Sequence, residues 1–318
     1  MNSSTLVFRA FREGDDVPVL QFLNERAGAK CSVNEWAWLF PPERDGRAIV
    51  VGERNGEVAA VCAGTPLRVA MDGREWAAVK LQKIVSSGID DAGRIFDHCI
   101  DAFRSNGRFA LAIAILESGA RISSGFDGAP RPRFSVLVRE QPIAGHNRRL
   151  LYRAEPARDW EPRLDELWQR TRKSYPVAVV RDADYALRRF SAHPTIHHHR
   201  FIVFPRLSNR AVAFAAFSID GDRYRWLDLV WDHDHPGGLE LLAHISGRLV
   251  RQLGGVGEEM WLAGDDEAHS VLARRGFCPD ETSPTPLVAA RSLSPELDAT
   301  VFVEDAYMTL ADAEGIVS

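Results

Sequence analysis

Apolar and polar residues alternate on either side of Asn55-Gly56 and again around Asp72-Gly73, the pattern of strands joined by two-residue hairpin turns. The alternation predicts strands at about 48–53, 58–63, 67–71 and 76–85. From about Gly93 the period changes. Ile95, Phe96, Cys99, Ile100 and Phe103 recur at helical spacing, and Asn106-Gly107 ends the run. The apolar run 109–116 is too short for a buried helix and reads as a core strand. A short helix ending at Gly125-Phe126 and strands at 134–139 and 150–154 follow.

The same order then returns. Strands are expected at 200–204, 212–218 and 223–231, with turns at Ser208-Asn209 and Asp220-Gly221. A helix opens at Gly237-Gly238 and is expected to bury Leu239, Leu242, Ile245, Leu249 and Leu253, ahead of a strand at 260–263. A short helix at 267–275 again ends in Gly-Phe, here Gly276-Phe277, and closing strands are expected at 285–290 and 306–310. Each half also has a helical preface, capped by Asp15 or Asp16 in the first and running from Trp160 to Lys173 in the second. Aromatic clusters follow both, Trp36 to Phe40 and Tyr185 to Phe190. The pattern therefore predicts an α+β fold duplicated in tandem, with domains at 1–157 and 158–318 and superimposable Gly-Phe pairs.

Composition narrows the function classes. The 318 residues are 45% hydrophobic and 26% charged, an ordinary globular balance, and the net charge of -5 offers no field for a nucleic acid. No apolar run approaches the ~18 residues needed to span a bilayer, and the first residues lack a signal peptide's pattern, so a cytoplasmic protein without a membrane partner is expected. Cys31, Cys62, Cys99 and Cys278 are far apart and form no CxxC pair, which predicts free thiols. Six of the ten histidines crowd into 193–199 and 233–235, but without HExxH, a Cys-His array or clustered carboxylates no metal is assigned. There is no GxSxG for hydrolase chemistry.

Several motifs carry a resemblance over nearly the whole chain: Phe8-Arg9-Ala10-Phe11-Arg12-Glu13-Gly14-Asp15, the Trp36-x-Trp38-x-Phe40 cluster, the long strand into Val85-Ser86-Ser87, and both Gly-Phe pairs. With Arg181-Asp182-Ala183-Asp184-Tyr185 and the terminal run Tyr307 to Asp312, the chain resembles tandem members of the GCN5-related acetyltransferase family. The resemblance implies an acyl-coenzyme-A-dependent N-acyltransferase with at most one working half, acetyl-CoA or another acyl-CoA as co-substrate, and a small amine as acceptor. In that family a bulged strand splays from its neighbour and offers free backbone groups to pantetheine, while the following helix N-terminus holds the diphosphate. The matching positions are Ile84, Val85 and Ser86 for pantetheine and the expected helix start at Gly93-Arg94 for the diphosphate.

The chain departs from the family's loop. Asp90 stands where Arg or Gln is expected and Ile95 where Gly or Ala is expected. The second loop, Asp232 to Gly238, has two glycines but acidic neighbours. The tyrosine that usually precedes Gly-Phe and protonates the leaving thiolate is missing from both halves. Glu117, at the end of the fifth strand, is the candidate base, and Ser123 the candidate hydrogen-bond donor to the thiolate. A non-catalytic scaffold that binds a small ligand or protein partner is the alternative, and the acidic charge disfavours an aminoacyl-tRNA donor. The sequence does not specify an oligomeric state.

Overall fold

The computed structural model describes residues 6–26, 31–41, 47–116, 125–140 and 150–313, with the backbone alone described at 89 and 90. In chain order the first half gives β1 (Val7–Ala10), α1 (Asp16–Arg26), α2 (Val33–Leu39), β2 (Ala48–Arg54), β3 (Glu57–Met71), β4 (Arg74–Ser86), α3 (Ile89–Ser105), β5 (Leu111–Leu116), β6 (Arg131–Pro132), β7 (Ser135–Arg139) and β8 (Tyr152–Pro156). The second gives α4 (Arg163–Thr171), β9 (Ala178–Val179), α5 (Ala183–Ala186), β10 (His199–Pro205), β11 (Ala213–Asp220), β12 (Arg223–Trp231), α6 (Pro236–Leu253), β13 (Gly257–Ala263), α7 (Asp266–Ala273), β14 (Cys278–Pro279), β15 (Leu287–Ser292), α8 (Ala299–Asp305), β16 (Met308–Thr309) and α9 (Leu310–Ala313).

Both predicted hairpin turns form with left-handed backbones, Asn55 at φ 57° and Gly56 at 82°, Asp72 at 55° and Gly73 at 72°. These are the conformations a two-residue turn needs to match strand twist. The expected strands 58–63 and 67–71 are one continuous β3, because Gly64, Thr65 and Pro66 between them pair with β4 rather than turning. Helix α3 begins at Ile89 with Gly88 as its N-cap, a turn earlier than the expected start at Gly93. Leu253, expected in the core, is half exposed at the end of α6, just before the left-handed Gly254 that stops the helix.

The two sheets are mixed and equivalent. The first runs β1-β2-β3-β4-β5-β15-β6 and the second β8-β10-β11-β12-β13-β7-β14, with β9 beside β3 and β16 beside β13. In each, the fourth and fifth strands are parallel. The sixth place in each sheet is taken by a strand from the other half: Val288 of β15 pairs with Ile115 of β5, and Leu137 of β7 with Met260 of β13. The expected closing hairpin within each half is thus replaced by two reciprocal pairs, β6 with β15 and β14 with β7. A cut at 157/158 does not separate the sheets, since β7 and β15 cross it and β8 is the edge of the second sheet.

Packing follows from the alternation. Helix α3 buries Phe96, Cys99, Ile100 and Phe103 on one face of the first sheet, and Val19, Leu23 and Trp36 of α1 and α2 cover the other. A large side chain buried in this way contributes about 1.5–3 kcal/mol. The largest apolar cluster joins the second sheet to Val69, Ala78, Leu111 and Ile113 of the first, so one core runs through both halves. No helix among the described residues is long and apolar enough to cross a membrane.

Candidate acyl-transfer site

The site begins at an irregularity in β4. Ala63 pairs with Lys83 and Gly64 with Leu81, so Gln82 is an extra residue and the strand bulges there. Glycine is required opposite: a Cβ on Gly64 would lie 2.4 Å from Val79 Cγ2 and 3.2 Å from the Lys80 carbonyl. The parallel ladder between β4 and β5 covers Ala78 to Leu81 only. Past the bulge, Ile84, Val85 and Ser86 pair with Cys62, Val61 and Ala60 on one side, while their other edge has no strand partner among the described residues. An open strand edge of this kind accepts an added extended chain through backbone hydrogen bonds.

The edge leads to the N-terminus of α3, whose N-cap Gly88 provides no side-chain bond. The helix start lies at 88–90, since Asp91 N already donates to Gly88 O at 3.1 Å, and Gly93 falls inside the helical ladder, where its N–H is already used. Asp91 is buried there and holds two arginines: Arg54 Nη2 donates to its Oδ2 at 2.7 Å, and Arg94 Nη1 lies 3.6 Å from Oδ1. The Arg94 guanidinium also sits 5.6 Å above the Phe8 ring, and its side chain is more than half exposed. Two cations thus flank the helix start, with a carboxylate of the chain between them. Ser86 Oγ donates to the Gly88 carbonyl at 2.7 Å and fixes the turn. Glu117 and Ser123 lie outside the described residues.

The second half repeats the bulge and the splay, then fills them. Ala216 pairs with Asp228 and Phe217 with Trp226, so Leu227 is the extra residue, and the β12–β13 ladder stops at Trp226. Here Tyr307 Oη donates to Leu229 O at 2.6 Å, and Tyr175 Oη donates to Trp231 O at 3.2 Å and accepts from Trp231 N at 3.3 Å. On the facing strand, Leu262 and Ala263 pair with Thr309 and Met308 of β16. A buried network anchors this plug. Arg181 Nε donates to Asp228 at 2.8 Å, Arg181 also donates to Asp312, and Thr309 N donates to Asp312 at 2.8 Å. Burial opposes the Arg181 charge, but Asp312 and Asp228 outweigh it and hold its pKa well above the usual value. The two glycines of the second loop serve packing, since a Cβ on Gly237 would lie 2.5 Å from the Tyr152 ring and one on Gly238 3.1 Å from Val212.

On the α2 side of the β4 bulge, a cavity of about 550 Å³ opens between the halves. Trp38, Leu39, Pro66, Leu67, Val179 and Val180 make it largely apolar, and Lys80, Gln82, Tyr185, Arg189 and Asp312 bring polar atoms to it. Trp38 Nε1 donates to Arg188 O at 2.7 Å, so α2 of the first half is latched to the π-helical turn Leu187–Ser191 of the second. Arg189 donates to Ala311 O at 3.1 Å. Lys80 is buried, 7% exposed. Desolvation, reinforced by Arg189 and opposed by Asp312, pushes its pKa down to about 7. The Tyr185 hydroxyl is buried without a hydrogen-bond partner among the described residues. Burial also holds its pKa well above the usual tyrosine value, so it stays protonated. Lys80 belongs to none of the motifs that mark the site in the sequence. Its signal was a lone lysine inside the run Ala77-Ala78-Val79-Lys80-Leu81. Among the described residues, no three His, Cys, Asp or Glu side chains converge as a metal site.

Duplicated mixed sheets, each with a bulged fourth strand splaying from a parallel fifth, are the fold of the GCN5-related acetyltransferases in tandem form. The chain is similar to a GCN5-related N-acetyltransferase from Anabaena variabilis, with a TM-score of 0.69 at 11% identity over 91% of this chain and 73% of that one. It is also similar to a probable N-acyltransferase from Enterococcus faecalis (0.68, 8% identity, 91% and 73%) and to Saccharomyces cerevisiae N-myristoyltransferase with bound myristoyl-CoA (0.59, 10% identity, 92% and 83%). At such identities the likeness is one of fold. No protein-family model and no curated protein matches the sequence.

Proposed function

We propose that the chain is an acyl-coenzyme-A-dependent N-acyltransferase built from two repeat units that exchange a strand, in which only the first splay takes the coenzyme. The observation that carries this reading is the pairing of an open, bulged β4 edge with an adjoining apolar cavity, while the equivalent edge of β12 is occupied by Tyr307 and Tyr175. Names of structural neighbours support it, since they are N-acetyl-, N-acyl- and N-myristoyltransferases. The backbone of Ile84, Val85 and Ser86 would pair with the pantetheine amides, and Arg94, with Arg54 beside it, would turn from Asp91 to the diphosphate. The acyl donor is acetyl-CoA or a longer acyl-CoA, and the cavity beside Lys80 takes a small amine.

Asp91 favours the second reading, a scaffold that binds something other than a coenzyme, because it already satisfies both arginines at the helix start. Thermal-shift titration with acetyl-, long-chain acyl- and free coenzyme A separates the two, since a ligand specific to the folded state raises the melting temperature. The transferase reading expects a shift that Arg94→Glu weakens by about 10-fold to 100-fold in affinity. No shift with any of the three would leave the scaffold.

A further inference from the structure

We propose that the edge of the second sheet beside α6 docks on anionic membrane surfaces, with exposed leucines entering the lipid and arginines meeting its phosphates. This holds whether or not the chain transfers acyl groups. The expectation of no membrane partner follows from the lack of a spanning stretch, which bears on crossing a bilayer and not on lying against one.

The surface starts from the strand order. Among the described residues β8 is the last strand of its sheet, and α6 packs over it. Helix α6 carries Leu241, Ile245 and Leu249 a turn apart along the side facing that edge. With no strand beyond β8 to cover them, Ile245, Leu249 and Phe201 stay partly buried. They wall a groove of about 390 Å³ that runs beside Tyr152 and Ala154.

At the Tyr152 end of the groove three leucines stand in solvent. Arg206 N donates to Leu151 O at 2.8 Å, which sets the start of β8 beside the turn after β10. Leu207 in that turn is fully exposed, Leu150 is 83% exposed and Leu151 60%. Single exposed leucines are ordinary, but three at one corner, continuous with an apolar groove, mark an interaction surface.

Charge decides the partner. The ionisable groups lining the groove are Arg153, Arg206 and Arg248, with no acid. Arg153 is engaged by Glu155 at 3.1 Å and Asn209 at 2.7 Å, whereas Arg206 and Arg248 have no acidic partner among the described residues. Of the neighbouring acids, Glu155 also binds Arg163 at 2.5 Å, Asp232 binds Arg170 at 3.1 Å, and Asp234 does not line the groove. Residues 141–149, which lead into Leu150, contain Arg148 and Arg149 and no Asp or Glu. The net charge of -5 therefore does not extend to this corner. An anionic bilayer matches it in both respects, with phosphates for the guanidinium groups and a hydrocarbon boundary for the leucines. A second copy of the chain matches it less well. It would bring the same arginines to the same groove, and Arg153, Glu155 and Pro156 on β8 are residue types that keep an edge strand from pairing with another.

Sedimentation with vesicles tests this, comparing phosphatidylcholine alone with phosphatidylcholine containing about 30% phosphatidylglycerol. Binding to the anionic vesicles should be at least about 10-fold tighter than to the neutral ones, and should weaken as salt rises from about 0.05 M to about 0.5 M. Arg206→Gln should weaken it by about 5-fold, and Arg206→Gln with Arg248→Gln by about 25-fold. Leu207→Ser should weaken it by about 10-fold at any salt. Its melting temperature should match the native protein's, because the Leu207 side chain is fully exposed. Arg74→Gln, which removes one charge from the exposed start of β4, should change binding by less than about 2-fold. Equal binding to neutral and anionic vesicles, no binding to either, or a loss in Arg74→Gln equal to that in Arg206→Gln overturns the proposal. So does a dimer in solution that Leu207→Ser dissociates, which would make this face a contact between copies.

Discussion

The two splayed strands of this molecule have the same backbone and, among the described residues, opposite occupancy. In β4 and β12 alike, one extra residue opens the sheet after a short parallel ladder, Gln82 in one and Leu227 in the other. The β12 edge then receives Tyr307 and Tyr175, and the strand opposite receives β16, all fastened by the buried Arg181, Asp228 and Asp312 set. The β4 edge meets an apolar cavity instead. The difference teaches that the fold's ligand slot is a backbone feature that survives duplication, while side chains from elsewhere in the chain decide whether it stays available. Helix α9, which follows the plug, lends Ala311 and Asp312 to the first cavity, so closing one site shapes the other.

The comparison can be broken most sharply at the strand exchange. Arg139 on β7 is buried against Glu258 on β13 and also donates to Arg275 O at 2.9 Å and Ala243 O at 2.7 Å. In the other exchanged strand, Arg291 meets Asp127 at 2.9 Å, where both side chains keep solvent access. Breaking a buried pair strands its partner, so Arg139→Leu should destabilise the protein by about 3–5 kcal/mol in denaturant titration. The corresponding Asp127→Asn should cost less than about 1 kcal/mol from its ion pair. Similar losses for the two would mean that the exchange is held symmetrically.

A smaller change tests the plug itself. Tyr307→Phe removes the hydroxyl that satisfies the Leu229 carbonyl and should cost about 1–3 kcal/mol. Coenzyme affinity should not change, because the ring still packs 4.3 Å from Tyr175. A variant that binds a second equivalent of coenzyme by calorimetry would show the β12 slot to be a latent site.

Much of this architecture was legible in the alternation and the turn residues. Asn55-Gly56 and Asp72-Gly73 can take positive φ cheaply, and the helical stripe from Ile95 to Phe103 has one burial solution. The exchange of β7 and β15 was not legible, since an apolar strand such as Val136-Leu137-Val138 states which face it buries but not which sheet it joins. The site was half legible. The β4 segment Ile84 to Ser86 could be placed from the long strand, but the start of α3 was misplaced because Gly88 caps with backbone alone and leaves no Ser, Thr, Asp or Asn signal. Lys80 escaped because its meaning depends on Arg189 and Asp312, more than 100 residues away.

The smallest expected effect lies in the second loop, and it follows from the charges that fill it. His233 Nδ1 lies 3.3 Å from Glu267, its Nε2 lies 3.4 Å from Asp265, and the ring stacks 4.3 Å from Trp231. Burial opposes its charge, but Asp265 foremost, then Glu267 and Asp232, outweigh that and raise its pKa above the usual histidine value. A raised folded pKa means that the native state holds the proton more tightly than the unfolded chain. The stabilisation is therefore complete below the unfolded value of about 6.5 and is lost as pH rises through the folded one. The ring keeps some solvent access and the pairs are screened, so the amplitude should stay under about 1 kcal/mol. Denaturant midpoints measured from about pH 5.5 to about pH 8.5 should decline in the native protein over this range. They should decline less in His233→Gln, and parallel curves would remove His233 as the cause. No such slope is expected from the first loop, which has no histidine between Ser86 and Arg94, so the variant also reports which loop carries the pH response.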